Sequence, residues 1–153
     1  MHAGDVMTRQ VQTVAPETTI AEAVGIMRRS GHGALPVVDG EGKVLGMITD
    51  VGIMSQCLPE YLKEVGDLYG TGDFPPFEER VRSLGGAFVR DLMQREVPTA
   101  EENTPLAEVA ALMTINSLRH IPVVSGARLS GIVGVQDIID GIARGARKGE
   151  PGS

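Results

Sequence analysis

The chain repeats itself, and the repeat constrains its fold more than any other feature. Asp5-Val6-Met7-Thr8-Arg9 lies over Asp91-Leu92-Met93-Gln94-Arg95, an offset of 93 − 7 = 86. The register then holds without a gap. Thr13 meets Thr99, Thr18 meets Thr104, Ile20-Ala21-Glu22 meets Leu106-Ala107-Glu108, Met27 meets Met113, and Pro36-Val37-Val38 meets Pro122-Val123-Val124. After that the second copy is one residue shorter. Gly46-Met47-Ile48 meets Gly131-Ile132-Val133 at an offset of 131 − 46 = 85. A pattern written twice in order folds as two copies of one supersecondary unit, and neither copy can bury its apolar face alone.

Each copy reads as strand, helix, strand, strand, helix. A short extended piece comes first, Val11 to Val14 and Val97 to Ala100. A helix follows, with apolar residues at Ile20, Ala23 or Val24, and Met27, matched by Leu106, Val109 or Ala110, and Met113. In the first copy Thr18 is the aligned cap, and Thr19 with Glu22 fits a capping box one residue later. In the second, Thr104 is the expected N-cap, with Pro105 at the first helical position. Leu35 to Val38 and Ile121 to Val124 read as buried strands, followed after a turn by Val44 to Ile48 and Leu129 to Val133. The last helices start near Asp50 and Val135. The expected fold is α/β (α+β): tandem β-α-β-β-α repeats that pack sheet to sheet as one pseudo-two-fold module.

The repeats span 1–56 and 89–143, with an unrepeated insert at 57–88 and a tail at 144–153. Tyr61 or Leu62, Val65, and Leu68 or Tyr69 have helical spacing, and Glu78 to Leu84 reads as a second short helix stopped by Gly85-Gly86. The insert holds both Tyr and all three Phe, which suits a capping helix on its own core or an interaction surface. The Gly-rich tail is expected to fray.

Composition narrows the function. Acids exceed bases by 20 − 14 = 6, which disfavours nucleic acid or an anionic membrane as a bulk-charge partner. Aromatics are 3% and Trp is absent, too few for an RNA face of stacked rings. No apolar run approaches the ~20 residues of a membrane helix. The start, Met1-His2-Ala3-Gly4-Asp5, lacks the regions of a secretory signal, and the lone Cys57 cannot form an intramolecular disulfide. The expectation is a cytoplasmic protein.

Together these residues resemble a CBS-domain pair, often called a Bateman module. The resemblance rests on Asp-Val-Met and Asp-Leu-Met at the two starts, the threonine before each capped helix, the X-Pro-Val-Val strands, and Gly-hydrophobic-hydrophobic before each last helix. It covers nearly the whole chain outside the insert and tail. It implies head-to-head or head-to-tail homodimers and, in many members, adenine nucleotides or adenosyl compounds bound between repeats. Other members bind nothing known, so fold alone does not assign function.

In nucleotide-binding members the last strand-to-helix turn reads Gly-h-h-Thr/Ser-x-x-Asp. A carboxylate at the helix start accepts ribose hydroxyls, while the hydroxyl and helix amides suit a phosphate. Here the motif is divided. Gly46-Met47-Ile48-Thr49-Asp50-Val51-Gly52 has the threonine but Gly52 in place of the aspartate. Gly131-Ile132-Val133-Gly134-Val135-Gln136-Asp137 has the aspartate but Gly134 in place of the threonine. By resemblance, Asp137 marks the better cleft. Its base pocket would be the backbone of Val11, Gln12 and Thr13 with Gly33, Ala34 and Leu35, and Arg119 and His120 would reach the phosphates. A weaker second cleft would use His32, Thr49 and Asp50 with Val97, Pro98, Thr99 and Ile121. The plainer reading makes Asp137 a helix-start acid, Asp50 a cap, and Arg119 a solvent ion-pair partner.

Catalytic and metal signals are missing from the sequence. His2, His32 and His120 are scattered, Cys57 has no partner, and no Walker-type loop or Gly-x-Ser-x-Gly elbow occurs. The resulting expectation is a non-enzymatic regulatory module. It would sense AMP, ADP, ATP or S-adenosylmethionine without a required cofactor, act as a homodimer, and signal to an unidentified protein partner. The alternative is a ligand-free structural or dimerisation module.

Overall fold

The computed structural model describes residues 1–58 and 75–148. Helix α1 (Ala3–Val6) is followed by α2 (Ile20–Ser30), β1 (Ala34–Val38), β2 (Val44–Thr49) and α3 (Asp50–Ser55). Helix α4 (Pro75–Ser83) runs into a 3-10 turn (Leu84–Gly86), and α5 (Val89–Leu92), α6 (Leu106–Asn116), β3 (His120–Ser125), β4 (Arg128–Gly134) and α7 (Val135–Lys148) complete the order. The helix expected over Tyr61 to Tyr69 lies outside the described residues. The one at Glu78 to Leu84 appears as α4 and its 3-10 extension.

The chain forms two compact units, and they are not the sequence repeats. Unit 1 holds Met1–Val11, Glu41–Val44 and Glu96–Ser153; unit 2 holds Gln12–Gly40 and Leu45–Arg95. The start of each repeat therefore packs with the body of the other. In unit 1, Thr8 exchanges backbone hydrogen bonds with Ile132 of β4 at 2.9 and 3.0 Å. In unit 2, Gln94 does the same with Met47 of β2 at 2.8 and 2.9 Å. Glycine permits both approaches. A Cβ at Gly46 would enter the van der Waals envelope of the Gln94 carbonyl oxygen, and one at Gly131 would stand 2.6 Å from that of Thr8.

Each unit is built on one hairpin. β1 and β2 form one two-stranded sheet and β3 and β4 the other. β3 and β4 are antiparallel, pairing His120 with Gly134 and Pro122 with Ile132. The expected first strands reduce to single parallel bridges, Val14 with Val37 and Ala100 with Val123. The unit 2 core gathers Ile20, Met27, Leu35, Val37 and Ile48, and the exchanged segment adds Val89 and Met93. The unit 1 core gathers Val109, Met113, Ile121, Val123 and Val133, with Ala3 added the same way. Ala3 and Val89 are wholly buried, so each exchanged segment is a full member of its core.

Neither aligned threonine caps its helix: the Thr18 hydroxyl accepts the Ala15 amide at 3.0 Å. Thr19 caps α2, accepting from the Glu22 amide in a capping box, as its spacing suggests. Thr104 does not cap α6. Pro105 takes the N-cap position in an extended conformation, and the Thr104 hydroxyl instead accepts from the Glu101 amide at 2.9 Å. The reason is the exchanged segment, whose Met1 carbonyl receives the Leu106 amide at 2.9 Å. That orphan donor of the first turn then needs no side chain. The Ile20 amide is satisfied in the same way by Ala87 at 2.8 Å. The helix ends also diverge. Gly31 ends α2 at φ 73°, whereas Ser117, its counterpart in the repeat, ends α6 at φ 53°. Helix α7 extends to Lys148, into the tail that begins at Arg144. Ala, Arg and Lys are good helix formers and carry it past Gly145.

Candidate ligand site

The last strand-to-helix turn of unit 1 brings three expected residues together. His120 opens β3 directly opposite Gly134, which closes β4. The Val135 amide donates to the Arg119 carbonyl at 3.0 Å, which fixes the start of α7 against the start of β3. Asp137 lies in the first turn of that helix, and its Oδ2 accepts the Gly134 amide at 2.7 Å. A Cβ at Gly134 would meet His120 Cδ2 at 3.2 Å, His120 Nε2 at 3.5 Å and Asp137 Oδ2 at 3.6 Å. An imidazole and a carboxylate thus converge over a residue without a side chain. His120 and Asp137 are half-buried and Arg119 is exposed. The turn offers a carboxylate acceptor beside groups able to donate to an anion.

The corresponding turn of unit 2 is assembled differently. The Asp50 amide donates to the Gly33 carbonyl at 2.8 Å. The Thr49 hydroxyl caps α3 by accepting the Gly52 amide at 3.0 Å, and Asp50 Oδ1 accepts the Val51 amide at 2.7 Å. The Asp50 carboxylate fills the space where a Cβ of Gly33 would stand. Thr49 and Asp50 are therefore both engaged with the backbone of their own turn.

The remaining expected residues divide between the units. Val11, Val97, Pro98, Thr99 and Ile121 belong to unit 1, and Gln12, Thr13, His32, Ala34 and Leu35 to unit 2. Leu35 and Ile121 are almost wholly buried, so their side chains serve the cores and only their backbone groups could face a ligand. Thr13 lines a cavity of about 530 Å³ formed with the following loop, α2 and the β1–β2 turn. Glu17, Glu22 and Asp39 also line it, which makes it a poor anion site. A second cavity, about 510 Å³, lies between α2 and α3 and includes His32, Gly33 and Asp50. Sequence reasoning missed both cavities and the seating of Asp50 on Gly33. A signal was available in the alignment of the repeats: Gly33 and Asp50 align with Arg119 and Val135, and His120 and Gly134 with Ala34 and Thr49, so each pair contains a glycine where the other repeat has a larger residue.

Among the described residues, no group of three His, Cys, Asp or Glu is placed to hold a metal ion. No described helix is long and apolar enough to cross a membrane.

The architecture defines a class: a protein of two intertwined β-α-β-β-α repeats, each presenting a strand-to-helix turn. A profile of the CBS domain matches residues 3–58 and 89–144. The chain belongs to the CBS domain family. It is 31% identical over 134 residues to the CBS domain-containing protein YhcV of Bacillus subtilis, covering 88% of this chain and 80% of YhcV. It is 29% identical over 138 residues to inosine-5'-monophosphate dehydrogenase of Methanocaldococcus jannaschii, covering 90% of this chain but 23% of that protein. Among solved structures it resembles the CBS pair of MJ0100 in complex with 5'-methylthioadenosine and S-adenosyl-L-methionine, at TM-score 0.71 and 23% identity, over 95% of this chain and 98% of that one. It also resembles CBSX2 in complex with AMP, at TM-score 0.72 and 21% identity, over 95% and 98%. Both structural likenesses establish the fold.

Proposed function

We propose that this chain is a non-catalytic regulatory module that binds an adenine nucleotide or adenosyl compound around Asp137 and passes occupancy to a partner protein, acting as a homodimer. The observation that carries the reading is the seating of Asp137. Its Oδ2 is fixed by the Gly134 amide at 2.7 Å, so the carboxylate is already oriented at the start of a 14-residue helix. A carboxylate held in this way is suited to accept hydroxyls of a ribose. His120 and Arg119 stand at the same end of β3 and supply cationic or donor groups for a phosphate. The adenosyl ligands named for the MJ0100 pair and the AMP named for CBSX2 support the ligand class. Signalling then needs only a ligand that binds two conformational states with different affinity.

A second reading, a ligand-free dimerisation module, is favoured by one observation. Neither turn carries both motif residues: Gly52 replaces the aspartate in one and Gly134 the threonine in the other.

Thermal melting against AMP, ADP, ATP, S-adenosylmethionine and NAD separates the two readings. A ligand at 100 times its Kd stabilises a protein by about 2.7 kcal/mol, worth roughly 5–10 °C in Tm at this chain length. Asp137→Asn keeps an acceptor for the Gly134 amide and should lose most of that shift. No shift at millimolar concentrations of any of these ligands, with melting that depends on protein concentration, would favour the dimerisation module instead.

A further inference from the structure

The cavity of about 530 Å³ in unit 2 belongs to neither strand-to-helix turn. Its apolar lining includes Ile26, Val38 and Leu45. Ile26 and Leu45 pack against the unit 2 core, and all three are half-buried. Three carboxylates line it as well, those of Glu17, Glu22 and Asp39. Glu22 is held in place by its capping box with Thr19, and Glu17 is exposed. None of the lining residues is basic. Two neighbouring cations are engaged elsewhere. Lys43, two residues before Leu45, pairs with Glu41 at 3.3 Å. Arg90, whose amide donates to the Pro16 carbonyl at 3.0 Å, stacks on the Phe88 ring at 4.5 Å.

The other repeat does not carry this lining. Glu17, Asp39 and Leu45 align with Asn103, Ser125 and Ser130. Acids of that copy stand instead at Glu101 and Glu102, in the places of Ala15 and Pro16, and Glu102 is paired with Arg9 at 2.9 Å. The shared fold therefore requires neither the acids nor the leucine of the unit 2 cavity. They are particular to one copy.

The lining restricts what can enter. An uncharged apolar group would strip water from the carboxylates and put nothing in its place. An anion would be repelled. No three of these acids are placed to hold a metal ion, which leaves an organic cation. A lysine or arginine side chain meets both demands, with its methylene stem along the apolar wall and its charged head at the carboxylates.

We propose that this cavity is a docking groove for a segment of a partner protein that carries arginine or lysine next to a large apolar residue. It rests on the partner-protein element of the proposed function and deepens it by naming that partner's chemistry.

Selection of random peptides displayed on phage, against the full chain, tests it. Enriched peptides are then titrated by fluorescence anisotropy into the wild type and two double variants. Glu17→Gln with Asp39→Asn removes two charges from the groove, and Glu101→Gln with Glu108→Gln removes two from the other repeat. The expected peptides combine basic and apolar residues, and their affinity falls about 10-fold in the groove variant but less than about 2-fold in the control. No enrichment, peptides without basic residues, or equal weakening by both variants overturns the docking groove. The melting shift with adenosyl ligands is read in parallel. A shift without peptide binding overturns the groove and leaves the ligand reading standing, and peptide binding without a shift does the reverse.

Discussion

Gly46→Ala is the sharpest test of the exchanged segments. The new Cβ would lie 3.1 Å from the Gln94 carbonyl carbon and 3.2 Å from Arg95 Cα, with the Gln94 oxygen closer still. All three are backbone atoms, so no side chain can rotate away. The segment at Gln94 must retreat by roughly an ångström, which breaks its two hydrogen bonds with Met47, of 2.9 and 2.8 Å. Each is worth about 1 kcal/mol net. Retreat also loosens Met93, which is largely buried, and if that side chain is released the loss grows by about 2 kcal/mol. Replacing glycine lowers the entropy of the unfolded chain and returns about 0.5–1 kcal/mol. The expected destabilisation is therefore about 1–3 kcal/mol, read as a lower urea midpoint at unchanged slope. Gly86→Ala is the control, since nothing stands within 4 Å of its Cβ position. Gly131→Ala should fall between them, because two of its three near atoms, Met7 Sδ at 2.9 Å and Cγ at 3.2 Å, belong to a flexible side chain that can rotate away, leaving the Thr8 oxygen as the backbone clash. If Gly46→Ala and Gly86→Ala melt within about 0.5 kcal/mol of each other, the backbone approach is not the constraint argued here.

Three further outcomes follow from individual residues. Ser117 holds φ 53° where the other repeat has Gly31, so Ser117→Gly should raise stability by about 0.5–1 kcal/mol in the same urea assay. Thr19→Ala removes the hydroxyl that accepts the Glu22 amide and should cost about 1 kcal/mol, whereas Thr104→Ala leaves the start of α6 intact and should not reproduce the loss of a helix cap. The Asp5 carboxyl is held below its ordinary pKa chiefly by the His2 backbone amide. Its contribution is present above that ordinary value and fades as pH falls through the lowered one, so Asp5→Asn should lower Tm slightly at neutral pH, converge with the wild type in strong acid, and so flatten the acid side of the Tm curve below about pH 4.

Much of the fold was legible because local rules and the repeat agreed. The β1–β2 and β3–β4 hairpins follow from short apolar runs separated by turn residues, and α2 follows from its periodicity and Thr19–Glu22 box. The exchange of segments was hidden, because Asp-Val-Met marks where a repeat begins and says nothing of which core it joins. Its trace was Gly46 and Gly131, read only as part of the Gly-hydrophobic-hydrophobic pattern before each last helix. The Thr104 cap failed for the same tertiary reason, since Pro105 suits either of two adjacent positions and the Met1 carbonyl decided between them. At the site, the spacing of Asp137 from β4 placed it correctly in the first turn of α7. The role of Asp50 was not legible in full: a cap was expected, but the Thr49 hydroxyl caps α3 and Asp50 covers Gly33.

The divided motif reads differently once the side chains are in place. In unit 1, His120 stands over Gly134; the same two places in unit 2 are held by Ala34 and Thr49. In unit 2, Asp50 stands over Gly33; the same two places in unit 1 are held by Val135 and Arg119. Each glycine thus faces a larger group, and each larger group has a glycine beneath it. A copy that had merely lost its function would drop motif residues without such matching replacements, because a missing side chain leaves a void and a surplus one a clash. The matched pairs describe two turns built to different chemistries. Unit 2 turns its hydroxyl and carboxylate inward, to the amides of Gly52 and Val51. Unit 1 exchanges the hydroxyl for an imidazole and keeps a carboxylate at the third position of a long helix. A ligand with vicinal hydroxyls and an anionic group would meet an oriented acceptor and donor groups at the unit 1 turn, and that asymmetry favours the proposed adenosyl site at Asp137 over one divided between the repeats.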